Sequence, residues 1–548
     1  MPPPTPPRAE PTVASLGRAT ALLASGTLVS RVLGFGRQWL LVLAIGGTGL
    51  VTDAFTTANN VPNTIFAIIS QGLLNAVLIP QLVRAATHKD GGQAYINKLV
   101  TLGLVVFGVI TIAATLLAPQ LIFAFNIHGA QAQLATAFAY WSLPQIFFYG
   151  MYTLLGEVLN ARKSFGPFTW APVLNNIVSI AALVLFIALY GAHGLGAVDD
   201  WSGLAIFIMA GGASIGIAAQ AVVLFAFWRR VGLRFRPDFH WRGMELRTVG
   251  KAAGWTFAML LCTQIAGWLE TRVANSATGA HRAGPTAMTT TWLIFMLPYS
   301  IIAVSIVTAY FTRMAEHARD DDMVSFKDDY AASVRAIVLT ISFCAAALIV
   351  LAFPISRVFF PFSHAATADV AAFAYVLMAF VLGLVPFVIG FVTLRAFYSL
   401  GDTRSPFVYT LVQSVIVVLG LLVCLELPLE ARVVGIALVV SFAGTVQTAL
   451  AMVALRRRLH GLELDRVFQA VIQGFGAALG ATIIGFGALF AFVALPGRDF
   501  VTGNPITAVI TGVVVAIVML AVYVGMLRVF RTPELMYAVG GIRRRIGR

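Results

Sequence analysis

Residues 433–455 read VVGIALVVSFAGTVQTALAMVAL and are followed directly by Arg456, Arg457 and Arg458. The run has no charged residue, and about 20 mostly apolar residues are enough for a helix to cross a bilayer. A block of cations after such a run is typical of the cytoplasmic end of a membrane helix. The stretch therefore predicts a spanning helix whose C-terminal end faces the cytoplasm.

The composition extends this interpretation to most of the 548-residue chain. Hydrophobic residues make up 59% of it and charged residues 11%, whereas a soluble domain carries about 25% charged residues. Fourteen apolar runs are long enough to span a bilayer. They are 19–45, 51–83, 99–124, 133–160, 168–190, 202–228, 252–276, 284–311, 336–360, 368–394, 405–427, 433–455, 467–494 and 503–527. We therefore predict an all-α polytopic membrane protein with fourteen transmembrane helices.

The charges between these runs predict the orientation. With the N-terminus in the cytoplasm, 30 of the 37 Lys and Arg residues fall on the cytoplasmic side, loop after loop, as the positive-inside rule requires. Losing or adding one helix in the middle of the chain would invert every later loop, so the alternation supports fourteen helices and two cytoplasmic termini. Since the net charge of +14 lies mainly in these loops, we expect no nucleic-acid partner.

An internal repeat is indicated by proline landmarks, although chance matches are an alternative because prolines are common in transporter helices. The matched features are Pro62 with Pro298, Pro119 with Pro354, and residues 164–168 with 403–407, at offsets of 236, 235 and 239 residues. Two six-helix lobes in parallel orientation are a usual plan for alternating access. The predicted divisions are a disordered proline-rich tail 1–17, an N-lobe 18–240, a C-lobe 241–460, two further helices in 461–530, and a basic tail 531–548.

Arg31 and Arg37 are the most informative charges because they lie inside the first apolar run. An arginine at the centre of a membrane helix costs about 2.5–3.5 kcal/mol on insertion scales, so it usually faces a water-filled cavity or an acidic partner. We expect Gly34 and Gly36 to bend the helix and let both arginines reach one cavity. Guanidinium groups suit phosphate oxygens; snorkelling to an interface is the alternative.

Four further charges are candidates. Asp53 opens the second run, where it either pairs with an arginine or caps its own helix. Glu157 lies late in the fourth run, and Glu270 and Arg272 lie in the seventh. A cavity charge or a cation site is the functional interpretation, with Glu270 and Glu157 in charge coupling. A local ion pair between Glu270 and Arg272 is the alternative.

An enzyme is not indicated. No zinc motif, Walker A loop or Ser/His/Asp constellation occurs in a suitable context, and the loops are too short for a soluble domain. Cys262, Cys344 and Cys424 lie in apolar runs at a spacing that fits no metal site. We predict a transporter without catalytic residues, metal or cofactor, driven by the membrane potential or a monovalent cation.

Several motifs resemble the MurJ (MviN) lipid II flippases, within the superfamily of multidrug and polysaccharide-lipid exporters. They are residues 30–37 (SRVLGFGR), 52–55 (TDAF), 62–63 (PN), 159–160 with Phe165, 171–172 (AP), 397–398 (FY) and 402–403 (DT). The resemblance implies a V-shaped pair of lobes around a cationic cavity, where arginines bind the diphosphate of lipid II. It also implies a groove for the polyprenyl tail formed by the last two helices.

The resemblance places Arg31, Arg37 and Asp53 on the family's functional positions, with Asn63 in the adjoining motif. Other positions depart from the family pattern, because Phe66, Ala67, Gln71 and a residue near Leu293 stand where charged residues are usual. We expect Arg272 or Arg282 to compensate for the missing cavity charge.

The expected function is therefore lipid II translocation for cell-wall synthesis in the bacterial inner membrane, with membrane lipids and peptidoglycan synthases as further expected partners. Translocation of another polyprenyl-diphosphate-linked glycan is the nearest alternative. A drug/cation antiporter is disfavoured by a cationic cavity, and a membrane enzyme or scaffold by the missing catalytic residues and the repeat.

Overall fold

Helices dominate the fold because hydrocarbon supplies no partner for a backbone N–H or C=O, which a helix pairs internally. The computed structural model describes residues 13–71, 92–162, 164–192, 194–240, 251–360, 367–462, 464–495, 497, 501 and 504–532. Within these ranges every regular element is helical, which confirms the all-α prediction. Most of both predicted tails, 1–17 and 531–548, lies outside the described residues.

The helices are numbered here in chain order. They are α1 Val13–Ile45, α2 Leu50–Ile69, α3 Gln93–Leu116, α4 Ala118–Ala124, α5 Gly129–Ser142, α6 Gln145–Ala161, α7 Phe165–Tyr190, α8 Gly203–Val231, α9 Lys251–Asn275, α10 Pro285–Arg319, α11 Met323–Val350, α12 Ala352–Phe359, α13 Thr367–Val381, α14 Leu384–Ser399, α15 Arg404–Leu425, α16 Leu429–Arg458, α17 Leu464–Ala494 and α18 Pro505–Val529. Helices α8 and α10 each contain a π-helical turn, at Phe207–Gly211 and Tyr299–Ala303.

All fourteen apolar runs overlap these helices. By length and composition, ten helices among the described residues suffice to cross a membrane, and the bent pair α13–α14 makes eleven. The three runs outside that set correspond to α2, the α5–α6 pair and α9. The number of crossings therefore stays a prediction, whereas the multi-pass character is clear.

The second pair of proline landmarks marks the same backbone break in both halves. Helix α3 ends at Leu117 and α11 ends at Leu351, with nearly equal backbone angles of φ −93°, ψ 13° and φ −91°, ψ 9°. A short helix containing Pro119 or Pro354 follows each break, as expected because proline cannot continue the hydrogen-bond ladder. The matched geometry supports the internal repeat.

Three clusters of buried apolar side chains hold the helices together. One consists of side chains within residues 44–233. The second consists of side chains within residues 266–467 together with Val42 of α1. The third packs α17 and α18 against α11, where the Tyr523 hydroxyl donates to the Leu339 carbonyl at 2.5 Å. The residue bounds assigned to the lobes from the sequence stay a prediction.

Close packing of α3 on α6 predicts a stability effect at Gly150. A Cβ atom there would overlap the ring of Phe107, which is fully buried. We expect Gly150→Ala to destabilise the protein by about 1–3 kcal/mol, since overpacking forces side chains out of their preferred rotamers. Thermal unfolding of the detergent-purified protein measures the effect. Gly108→Ala in α3 is the matched control because no heavy atom lies within 4 Å of its added methyl group; equal melting temperatures for both variants would contradict the prediction.

Candidate functional site at the junction of the two halves

Arg31 and Arg37 both lie on α1, but in different surroundings. Arg31 is exposed, and Arg37 is half-buried beside a small cavity of about 60 Å³ that Asn59 and Ser179 also line. Six helical positions separate the two residues, which is about 240° of rotation. The helix is continuous through Gly34 and Gly36, so no break in α1 turns one arginine towards the other. A bend at Gly34 and Gly36 stays a prediction. Helix α7 packs along this stretch, where Asn176 donates to the Ser30 carbonyl at 2.9 Å.

Neither arginine is neutralised by a carboxylate in the described part of the chain. The ion pairs there involve other cations, with Arg282, Arg313, Arg319 and Arg458 as the arginines concerned. A guanidinium group in a membrane helix without an acidic partner can bind an anionic ligand. Arg31 and Arg37 therefore remain candidates for phosphate binding.

Asp53 connects the two halves of the chain. Its side chain is 0% exposed, and Oδ1 accepts a hydrogen bond from the backbone N–H of Thr286 at 3.0 Å. Thr286 lies in the first turn of α10, where backbone N–H groups and the helix dipole favour an anion. Gly284 makes room for the contact, because a Cβ atom there would overlap the carboxylate.

This geometry corrects both sequence-based interpretations of Asp53. The carboxylate pairs with no arginine among the described residues, and it caps α10 instead of its own helix. Sequence spacing could not reveal a partner that lies 233 positions away.

Other hydrogen bonds join the same ends of these helices. The Thr56 and Thr286 hydroxyl groups are 2.8 Å apart, and Thr57 Oγ1 donates to Asn275 Oδ1 at 3.2 Å. Asn275 Nδ2 donates in turn to the carbonyl of Phe125 at 3.0 Å, beyond the end of α4. We call the contacts of Asp53, Thr56, Thr57, Asn275 and Thr286 the outer joint, since loop charge predicts that this end faces outward.

Contacts of α1 and of the loop after it extend the outer joint. Gln38 Nε2 donates to Thr290 Oγ1 at 2.9 Å, and Trp39 Nε1 donates to the Val358 carbonyl at 2.7 Å. Thr48 Oγ1 donates to Asp369 Oδ1 at 2.6 Å. The two halves are therefore closed against each other at this end.

Arg272 belongs to the same region. Its Nη1 donates to the Ala124 carbonyl at 2.7 Å, and its guanidinium group lies 5.9 Å from the ring centroid of Trp268. The described residues show no ion pair between Arg272 and Glu270. Arg282, the other expected compensating charge, lies 3.2 Å from Glu430. Both cations therefore make structural contacts, and their roles in substrate binding stay predictions.

The remaining candidates are dispersed. Asn63 is exposed directly after Pro62 in α2, Glu157 is half-buried in the last turn of α6, and Glu270 is half-buried in α9. The structure does not bring Glu157 and Glu270 into one hydrogen-bonded group among the described residues. Their assignment to charge coupling stays a prediction.

Arg395 is a cation of the second half that the sequence analysis placed in a loop. It lies within α14, half-buried, with its guanidinium group 5.3 Å from the ring centroid of Phe311 and 5.1 Å from that of Phe391. Within the described ranges it has no carboxylate partner. The sequence analysis ended the tenth apolar run at residue 394, directly before Arg395, whereas α14 continues for one more turn to Ser399.

Arg31 and Arg395 lie in opposite halves of the chain, on α1 and α14. Tyr299 of α10 lies within electrostatic range of both guanidinium groups. Arg31 precedes the outer end of α1 at Ile45 by 14 residues, and Tyr299 follows the start of α10 at Pro285 by 14 residues, which is about 21 Å along each helix. Arg31 therefore lies about as far from the outer end of α1 as Tyr299 lies from the outer start of α10, away from the closed end.

Comparisons with known proteins decide the family. The family model described as lipid II flippase MurJ matches residues 43–504. The chain belongs to the MurJ lipid II flippase family. A lipid II flippase MurJ of Burkholderia cenocepacia is 24% identical over 482 residues, covering 85% of this chain and 88% of the relative. A probable lipid II flippase MurJ of Rhizobium meliloti is 26% identical over 459 residues, covering 81% and 82%.

Solved structures agree on the fold of this MurJ family member. A lipid II flippase MurJ in an inward closed conformation superimposes with a TM-score of 0.70 at 16% identity, over 92% of this chain and 99% of that structure. An inward-facing multidrug resistance transporter of the MATE family gives a TM-score of 0.63 at 17% identity, over 78% and 94%. These two structures confirm the expected fold.

The outer joint of this MurJ family member predicts a local effect of Asp53. Replacing Asp53 with Ala removes the acceptor for the Thr286 N–H, and loss of a helix cap costs about 0.5–2 kcal/mol. We expect the two halves to separate more often at this end, while Asp53→Asn, which keeps one acceptor oxygen, has a smaller effect. Maleimide labelling of a Thr286→Cys reporter, which retains the backbone donor, should accelerate about three- to tenfold in the Ala variant.

The labelling rate is compared with that of the parent, which carries only Cys262, Cys344 and Cys424. Equal reporter rates with Asp, Asn and Ala at position 53 would show that the carboxylate does not hold the outer joint.

Proposed function

We propose that this chain translocates lipid II from the cytoplasmic to the outer leaflet by alternating access, for peptidoglycan synthesis. The observation that carries the proposal is a family match over most of the chain, combined with cations from both halves below a closed outer joint. Lipid II bears a diphosphate, and arginine is suited to phosphate because its planar fork makes two parallel hydrogen bonds.

The described contacts support a sequence of steps. With the outer joint closed, the diphosphate is drawn from the cytoplasmic leaflet to Arg31, Arg37 and Arg395. Binding of an anion between cations of the two halves reduces their mutual repulsion and favours their approach. Because each hydrogen bond of the outer joint contributes about 0.5–1.5 kcal/mol, opening it requires a gain of several kcal/mol at the cytoplasmic side.

Resetting the empty carrier requires a source of energy, and the membrane potential or a monovalent cation is the proposed source. An unloaded carrier with cations in its cavity responds to the potential, at about 2.3 kcal/mol per charge and 100 mV. Among the described residues no group of three or more His, Cys, Asp or Glu could hold a metal ion. Glu157 and Glu270 remain the proposed coupling residues, without a catalytic role for the chain.

The proposed setting is the bacterial inner membrane with both termini in the cytoplasm. The positive-inside distribution supports this orientation, and the expected partners are lipid II, membrane lipids and peptidoglycan synthases. Translocation of another polyprenyl-diphosphate-linked glycan is the second candidate. Phe66 and Ala67 favour it, because apolar residues at these positions leave fewer charges to recognise the substrate.

The first functional test replaces the arginines of α1. We expect Arg31→Ala or Arg37→Ala to abolish complementation of a strain depleted of its lipid II flippase, because each removes charge-assisted hydrogen bonds worth about 1.5–3 kcal/mol. Growth after depletion is the measurement, with membrane abundance of each variant as the control for folding. Full growth of the double variant would contradict the mechanism. Failure of the unmodified chain to complement would instead favour another polyprenyl-linked substrate.

The second functional test concerns Arg395. We expect Arg395→Gln to reduce lipid II translocation about tenfold or more, because the second half then lacks this cation. Arg395→Lys should retain part of the activity, since it keeps the charge without the bidentate geometry. Translocation in vesicles containing the purified protein measures the rate. Arg319→Gln, an exposed arginine paired with the adjacent Asp320, is the control. Equal rates for the two Gln variants would rule out a role of Arg395.

A further inference from the structure

A second concentration of cations lies away from the junction of the two halves. A cavity of about 820 Å³ opens between α15 and α16, and Trp255 of α9 also lines it. Arg404, Arg457 and Arg458 bring three guanidinium groups to its rim. We call this cavity the basic groove. Arg31, Arg37 and Arg395 do not line it, so it is separate from the proposed substrate site.

The positive charge of the basic groove is largely unneutralised in the described part of the chain. Arg404 lies 5.9 Å from the ring centroid of Trp255, and no carboxylate pairs with Arg404 or Arg457. Arg458 is 3.9 Å from Asp402, the acidic residue of the groove. The groove thus carries three cations against one anion.

Asp402 is already occupied by the start of α15. Its Oδ1 accepts hydrogen bonds from the backbone N–H groups of Arg404 and Ser405, each at 3.0 Å, and its Oδ2 accepts from the Ser405 hydroxyl at 2.8 Å. Partial burial acts to raise the pKa of Asp402, but the Ser405 hydrogen bonds and Arg458 outweigh it, so the pKa lies below its usual value. The carboxylate stays ionised as a helix cap and leaves the rim cationic.

Tyr409 forms part of the buried lining of the groove. The residue is only 6% exposed, and its hydroxyl, which solvent does not reach, has no hydrogen-bond partner among the described residues. Since water does not reach this hydroxyl, a ligand in the groove does not contact it. The arginines are therefore the groups that hold the charge of the ligand.

The groove continues as an apolar wall. Val408, Val412, Leu450 and Val453 line it, and Val408 and Val453 expose 51% and 48% of their surfaces. The charges lie at the ends of α15 and α16 that loop charge predicts to face the cytoplasm. Trp255 beside them fits the position of an interfacial tryptophan, which favours the headgroup level. A ligand that matches the whole groove therefore combines an anionic head with a hydrocarbon chain.

We infer that the basic groove binds an anionic phospholipid of the cytoplasmic leaflet, with its phosphate on Arg404 and Arg457. One acyl chain lies along Val412 and Val453. Basic pockets between membrane helices on the cytoplasmic side are suited to anionic lipid headgroups. A free phosphate would leave the apolar wall without a partner, so the shape favours the lipid.

The experiment uses the full chain in phosphatidylcholine vesicles that contain a low fraction of phosphatidylglycerol. Brominated acyl chains quench nearby tryptophan fluorescence, and the signal of Trp255 is obtained by subtracting that of Trp255→Phe from the total of nine tryptophans. We expect brominated phosphatidylglycerol to quench Trp255 more strongly than brominated phosphatidylcholine at the same mole fraction. Equal quenching by the two lipids would overturn the inference.

Charge-neutral variants test the assignment of residues. Arg404→Gln combined with Arg457→Gln should lower the preference for phosphatidylglycerol about tenfold or more. Each basic residue near an anionic surface contributes about 1 kcal/mol to the binding free energy, and the variant removes two of them. Arg229→Gln combined with Arg230→Gln removes the same charge from the same predicted side and should leave the preference unchanged. An equal loss in both double variants would indicate only general attraction to the membrane surface and would overturn the site.

Two further arms keep the test decisive if the double variant folds poorly. Arg457→Gln alone changes one exposed residue and should weaken the preference about threefold or more; an unchanged preference would overturn the placement of the phosphate. Inorganic phosphate added to the vesicles should leave the quenching of Trp255 unchanged. Displacement of the lipid by inorganic phosphate would show a simple anion site and contradict lipid binding.

Discussion

The Asp53 carboxylate at the N-terminus of α10 is the contact on which the arrangement of the two halves depends. A buried charge is tolerated only with hydrogen-bond partners, and Asp53 obtains one from a helix of the other half. The neighbouring Thr56, Thr57 and Asn275 continue the same polar strip. Among the described residues, hydrogen bonds between the two halves are denser in this strip than elsewhere. The strip therefore acts as a joint that closes one end.

Cations from both halves lie away from that joint. Arg31 and Arg37 of α1 and Arg395 of α14 have no carboxylate partner in the described ranges, and aromatic rings flank Arg395. Placing a charge inside a membrane bundle costs free energy, so a charge without a partner indicates a functional role. Arg395 is a cation of the second half, in which Leu293 departs from the family pattern by being apolar.

Prediction from the sequence succeeded where a property is local. Apolar run length predicted helices, and Pro119 and Pro354 predicted related features in two halves, which the structure shows as helix breaks at Leu117 and Leu351. It failed where a partner is distant. Asp53 was assigned to its own helix or to an arginine, whereas it caps α10. The expectation that Arg272 or Arg282 replaces a missing charge stays a prediction, and both make contacts with distant residues, Ala124 and Glu430.

The sequence by itself determined an all-helical membrane protein, its internal repeat and its family. The reason is that hydrophobic run length, loop charge and motif residues are properties of the linear sequence. Only the tertiary structure decided that Asp53 caps α10, that one end is closed, and that Arg31 and Arg395 both lie within electrostatic range of Tyr299. The physical reason is that a membrane helix satisfies its backbone internally and so forms without reference to its neighbours. Which side chains meet across helices depends instead on how the finished helices pack.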